Sequence, residues 1–218
     1  MTLRRWLIAT AVLLACIYQA LAEFASFQVD GTPYTWNPSD KAAAIVLSNG
    51  NYTATLPDDN FGVTARAYRK APVGAKRYFE LTAGGPSPGA GVATAAATLS
   101  VYLGAEQSSI GWFQNLIQSN SIIPVADLPQ FQGGDVLGVA INDTANLIWV
   151  RVKSGISPCT DWNNIGSDDP ATDTGGIGYA SLGGAFYPAM SADHQGDGMT
   201  LNLGPNFACA APSGYSRF

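Results

Sequence analysis

Charge is what this sequence has least of. Only 12% of its 218 residues are Asp, Glu, Lys or Arg, against 47% hydrophobic ones, so a large core can be buried while few ion-based functions stay open. Glutamate occurs only at Glu23, Glu80 and Glu106, and no Glu-x-Asp-x-Glu constellation appears. That withholds the close carboxylate pair that sandwich-fold glycosidases place about the scissile bond; Glu80 alone is expected to pair or to face solvent. His194 is the only histidine. Spacing leaves a Ser191, His194, Asp197 triad open, because triads assemble in space, but no nucleophile elbow accompanies it. Cysteine is limited to three residues with no Cys-x-x-Cys pair, which weakens thiol-exchange and metal readings. Sustained helical periodicity is missing from Glu23 onwards, so helix is a minor component at most. A basic footprint is missing too. The formal charge is −5, and nucleic-acid binders need clustered cations to release counterions. Arg69-Lys70 and Lys76-Arg77 are too short for that and read as solvated strand ends.

What is present begins with an export segment. Arg4 and Arg5 form a basic n-region, Trp6 to Tyr18 is an apolar stretch short for a bilayer, and Ala20-Leu21-Ala22 supplies the small-x-small cleavage pattern. The expectation is a signal peptide over residues 1–22, cleavage after Ala22, and one secreted or periplasmic domain over 23–218. A rival reading takes Leu13-Leu14-Ala15-Cys16 as a lipobox, with membrane attachment through lipidated Cys16. Loss of Arg4 and Arg5, with no acid lost, moves the formal charge from −5 to −7. Cys159 and Cys209 then remain, and an oxidising compartment favours pairing them, although two separate thiols fit the sequence as well.

Turn punctuation dominates the rest, with 24 Gly and 13 Pro setting short strands apart. Gly133-Gly134-Asp135 opens the apolar run Val136 to Ile141; Asn142 to Asn146 turns the chain, and Leu147 to Val152 returns, a hairpin signal. Asn49-Gly50 predicts a second hairpin between Ala43–Leu47 and Tyr52–Leu56. Tyr34–Pro38, Phe61–Tyr68, Lys76–Thr82, Val92–Thr94, Ser109–Phe113, Ile122–Ile123, Tyr187–Ser191 and Met199–Leu203 read as further strands. Thr94–Leu99 is alanine-rich but short for a helix, and Gly155 to Gly176 reads as a long polar insertion. About a dozen short strands with regular turns predict an all-β sandwich or barrel.

In chain order, Thr35-Trp36-Asn37-Pro38, Leu47-Ser48-Asn49-Gly50, Tyr78-Phe79-Glu80, Gly91 to Ala95, Tyr102-Leu103-Gly104 and Ser109-Ile110-Gly111-Trp112 carry a resemblance. So do Gly134 to Ala140, Ile148-Trp149, Tyr187-Pro188-Ala189, Asn202-Leu203-Gly204 and Phe207. Together, over about Thr35 to Tyr215, the chain resembles the SPRY domain family. The resemblance implies a bent, jelly-roll-like β-sandwich of two antiparallel sheets, similar to concanavalin A. It also implies a non-catalytic module that binds a protein or peptide through loops along one rim, without cofactor or metal. Tyr102 and Leu103 stand where relatives place pocket-lining residues. The sequence departs at Val150 to Gly155, where the family continues into an Asn-Gly turn and a further Trp; here Trp162 follows only after an insertion.

Loop aromatics and arginines suit interfaces because they bury large area at little entropic cost. Trp162, in the polar insertion without an obvious core duty, and Arg66, a charged contact or a strand-pair cap, therefore join Tyr102 and Leu103 as candidate ligand-binding residues. Trp112 and Trp149 read as core, Trp149 between the sheets. Because sandwiches also host lectins, a carbohydrate-binding module is the alternative, with Trp162 as a stacking platform. Asp168, Asp169 and Asp173, and separately Asp193 with Asp197, could offer oxygen ligands to Ca²⁺ but lack recognised spacing and read as solvated turns. Asn51-Tyr52-Thr53 and Asn142-Asp143-Thr144 match glycosylation sequons.

Overall fold

Alternation along the strands decides the architecture. In Lys76–Gly84, Phe79, Leu81 and Ala83 face one way while Tyr78 and Glu80 face the other, and all five are buried. A strand covered on both faces needs material stacked on each side. The computed structural model, which describes residues 31–59, 62–125 (123–125 by backbone alone) and 127–218, supplies it. The expected signal peptide and the Cys16 lipobox lie outside the described residues, as do Phe61 and most of the lead-in from Glu23.

The strands are β1 (Trp36–Lys41), β2 (Val46–Ser48), β3 (Thr53–Thr55), β4 (Val63–Ala67), β5 (Lys76–Gly84), β6 (Gly89–Thr94) and β7 (Ser109–Phe113). They continue with β8 (Leu116–Ser119), β9 (Ile122–Val125), β10 (Val136–Asn142), β11 (Leu147–Lys153), β12 (Ile177–Gly178), β13 (Phe186–Ala192) and β14 (Gly198–Asn202). They form two seven-stranded sheets, ordered β1-β4-β13-β6-β7-β8-β9 and β12-β11-β10-β5-β14-β3-β2. Every ladder between neighbouring strands is antiparallel. The all-β sandwich expected from the turn spacing is therefore the observed fold.

The predicted 135–152 hairpin pairs Val136 with Lys153 through to Asn142 with Leu147. Gly134, at φ +94°, allows the turn before it, and the Asp135 carboxylate accepts the Gln132 N–H at 2.9 Å. The Asn49-Gly50 hairpin is wider than a two-residue turn. Asn49, Gly50 and Asn51 all take left-handed φ and form a short 3₁₀ turn between β2 and β3. Thr94–Leu99 is not helical beyond the end of β6 but turns repeatedly.

The main core lies between the sheets, where Trp36, Phe79, Leu81, Ile110, Trp112, Ile117, Phe186 and Met190 are at most 1% exposed. Trp36 in the first sheet donates its indole N–H to Met199 O in the second at 3.1 Å, tying the layers together. Trp149 does not join this core. Its strand neighbours Ile148 and Val150 do, and period-2 alternation sends Trp149 to the opposite face, with Tyr78, Ala140 and Tyr215. This second compartment is roofed by the 155–176 insertion and the C-terminal tail. Gly138 makes room for it: a Cβ there would stand 2.7 Å from the Tyr78 hydroxyl.

The roof is stapled. Cys159 in the insertion and Cys209 in the tail form a disulfide with Cα atoms 6.1 Å apart. Beneath it Glu80 is fully buried. Its Oε1 accepts the Tyr78 O–H at 2.8 Å and Cys209 N–H at 2.7 Å; Oε2 accepts Ala208 N–H at 2.7 Å and the Asn202 amide at 3.2 Å. A carboxylate can be buried this way because every donor around it is supplied by protein. Lys76 is likewise no free strand end, since its ammonium bridges both Asp173 oxygens at 2.8 and 2.9 Å.

Candidate functional site: the loop rim and outer face of the first sheet

The outward side of the first sheet is floored by small residues. Gly89, Gly91 and Ala93 of β6 alternate with inward Ala90 and Val92, and Gly111 of β7 lies beside Gly91. Side chains do not fit at any of these three glycines, and at Gly91 a Cβ would run into the Ile110 carbonyl of the neighbouring strand. A Cβ on Gly89 would sit 2.3 Å from the Phe113 ring, and one on Gly111 would sit 2.5 Å from that ring and 2.6 Å from Leu103 O. The floor is thus cleared for the loop between β6 and β7 to lie across it. Leu103, 1% exposed, packs down with Ala93, Ala97, Ala189 and Phe113, and its N–H donates to Ser191 Oγ at 3.3 Å.

Tyr102 is the one aromatic residue of this loop. It is half-buried, edge-on to half-buried Phe113 with centroids 6.1 Å apart, and its hydroxyl accepts from the Gln118 amide at 3.4 Å. The result is an aromatic pair with a polar tip on a braced loop. Phe113 ends the strand expected over Ser109–Phe113; the signal for its place beside Tyr102 is the glycine spacing that clears room for its ring.

Arg66 holds the other end of the loop. Its guanidinium makes a two-point bridge to Asp40, at 2.9 and 2.6 Å, and donates to the carbonyls of Thr94 and Ala97 at 2.8 and 2.7 Å. With its side chain 6% exposed, it offers a ligand almost no surface. Arg66 and Leu103, both expected as contacts, are buried, with their polar or apolar groups engaged beneath the loop.

Trp162 stands elsewhere, over the second sheet. Arg151 lies 4.1 Å above its ring, and Tyr78 meets it edge-on at 6.2 Å. Its core duty, which could not be read locally, is to cap the outer compartment. The neighbouring buried Asn163 donates to Gly175 O and accepts the Val150 N–H at 3.0 Å, while Thr160 Oγ1 accepts that of Val152 at 3.0 Å. The insertion thereby serves the edge of β11 where β12, which pairs only with Leu147 and Ile148, does not reach.

The turn after β13 gathers Asp193, His194 and Asp197, whose ligand atoms lie within 4.8 Å of one another, the only such group among the described residues. Asp197 is fully buried, and its carboxylate is occupied by backbone N–H groups of Ser87 at 2.8 Å and His194 at 3.1 Å. His194 Nδ1 faces Asp193 at 2.7 Å and Ser87 Oγ at 3.2 Å. Acid and hydroxyl therefore meet the same ring nitrogen, whereas a proton relay needs them on opposite nitrogens. Ser191 is buried with its Oγ engaged by Leu103, so the triad open by spacing is not assembled. The hydrogen bond and charge of Asp193 raise the His194 pKa above 6.5. In the insertion, Asp168 accepts from Asn163, Asp169 caps a 3₁₀ turn, and Asp173 faces Lys76 and Asn142, so each carboxylate has a separate structural partner.

Neither a protein-family model nor a curated protein matches the sequence. Solved structures do match the fold. The TRIM65 PSpry domain aligns with TM-score 0.55 and 13% identity, covering 77% of this chain and 90% of that one. The SPRY domain of human HERC1 aligns with TM-score 0.53 and 11% identity, covering 77% and 96%. The architecture is SPRY-like, a concanavalin A-like sandwich, as the ordered motifs implied.

Proposed function

We propose that residues 23–218 are an exported, non-catalytic binding module that recognises a protein or peptide through the loop carrying Tyr102. The observation that carries this reading is the Tyr102–Phe113 pair. A glycine floor, a buried Leu103 and a fully bridged Arg66 are spent on holding one half-exposed phenol with a polar tip. Rigid aromatic anchors of that kind dominate interface energetics, and the SPRY-like fold supports the same use. Export is supported by the n-region, apolar stretch and Ala22 site, and by the Cys159–Cys209 bond, which suits an oxidising compartment. The carbohydrate alternative leaned on Trp162 as an open stacking face, and Arg151 occupies that face.

Peptide display against the oxidised domain tests the proposal. Selected peptides should lose about tenfold or more in affinity to Tyr102→Ala, the range for an anchor residue, and little to Trp162→Ala. Binding indifferent to Tyr102→Ala, or selective retention on a glycan array abolished by Trp162→Ala, would overturn it.

A further inference from the structure

A second concavity lies on the inner side of β8, where Gln118 points outward to Tyr102 and Ser119, one residue on, points inward. It is a cavity of about 370 Å³ at the seam between the sheets, bounded by the β8–β9 turn, the β10–β11 turn and β12. We propose that it binds a small neutral molecule with an apolar body and one hydrogen-bonding head group.

Three observations carry this. The volume falls in the range of small-ligand sites, about 300–1,000 Å³. Its lining, which includes Ile122, Leu147, Tyr179 and Ala180, contains no Asp, Glu, Lys, Arg or His. Tyr179 donates to Asp143 at 3.3 Å and burial raises its pKa, so it stays a neutral phenol. A charged ligand would surrender hydration here and meet no counter-charge. The third observation is Ser119 itself. The residue is 5% exposed, and its Oγ has no hydrogen-bond partner. Buried hydroxyls are ordinarily paired, so an unpaired one at the wall of this uncharged cavity selects for a ligand that brings a donor or acceptor. Asn120 and Asn146, both held in left-handed turns, add amide groups from the two bounding turns, and Ile122, 63% exposed, forms an apolar lip.

Three probes with one ring and different head groups separate the possibilities: cyclohexanol, cyclohexane and cyclohexylammonium. Titrated into the oxidised, isotope-labelled mature chain, cyclohexanol should saturably shift the NMR signals of Ser119, Leu147 and Tyr179 and bind most tightly of the three. Ser119→Ala should weaken cyclohexanol by about two- to tenfold, the range for one hydrogen bond, and leave cyclohexane unchanged. Ala180→Trp, a substitution at an exposed loop position, should block every probe, and Tyr102→Ala should change none of them. Absence of a saturable shift, affinity independent of the head group, or a crystal soaked in cyclohexanol that shows only a water on Ser119 would overturn the proposal. So would shifts at these residues that track protein concentration, because a second copy would then be the occupant.

Discussion

At the scale of single residues, acid–base groups here serve as braces, and their titration reports it. His194 is exposed and its pKa is raised by the hydrogen bond to Asp193, then by the charge of Asp193. A raised folded pKa means the pair stabilises the turn below the unfolded value near 6.5 and ceases to do so as pH rises through the folded value. An NMR titration should place His194 above 6.5, and Asp193→Asn should lower it; an unchanged midpoint would discard the pair. Asp173 runs the other way. Hydrogen bonds from Lys76 and then Asn142 lower its pKa, so its contribution is present above the unfolded value and is lost as pH falls through the folded one. Glu80 is the most demanding case. Glu80→Gln keeps size but points an amide at backbone and hydroxyl donors, leaving at least one of them unpaired in a dry site. Denaturant unfolding should show a loss of about 1–3 kcal/mol, and a neutral result would mean that water reaches the compartment.

The elements tell how much could be read in advance. Strands β10 and β11 were legible because two apolar runs flank a polar turn at Asn142 to Asn146. β8 was missed: Gln114, at φ +50°, makes the turn before it without glycine or proline. β12 was missed because two residues carry no periodicity. The face of Trp149 was misjudged for a physical reason. Ile148-Trp149-Val150 is apolar throughout because both sides of β11 are covered, and a continuous run cannot say which side is which. Tyr102 became a candidate through the family motif, while its contact with Phe113 and the burial of Arg66 and Leu103 depend on segments far apart in sequence. The Cys159–Cys209 pairing was one of two open readings; the structure closes it by bringing insertion and tail together. Across a sequence separation of 50 residues, its removal by Cys159→Ser should lower stability by up to roughly 4 kcal/mol. It should also speed proteolysis within 155–176 while leaving the β-sheet circular dichroism signal in place. If the variant resists proteolysis as the parent does, the Asn163 and Thr160 bonds alone hold the insertion.

On the scale of the whole molecule, the last residues of the chain close two compartments at once. Tyr215 packs edge-on to Trp149 at 6.4 Å, outside the second sheet. Three residues later Phe218 is 7% exposed and enters the inter-sheet core, with Phe79 at 5.5 Å and Phe186 at 5.9 Å. Phe79 belongs to β5 and Phe186 to β13, so one terminal ring touches both sheets. Between these anchors, Ser216 accepts the Tyr78 N–H at 3.0 Å and donates to Lys76 O at 3.3 Å. The tail therefore couples the outer compartment to the inner one, and the two should unfold together. Phe218→Ala removes a buried ring at the hub and should cost roughly 3–5 kcal/mol. Tyr102→Ala, at the proposed recognition surface, should cost far less. Fluorescence and far-ultraviolet circular dichroism should follow one coincident transition in the parent. Should Phe218→Ala leave the midpoint unmoved, or should the tail melt in a separate earlier step in the parent, the coupling does not exist and the sandwich stands without its terminal anchor.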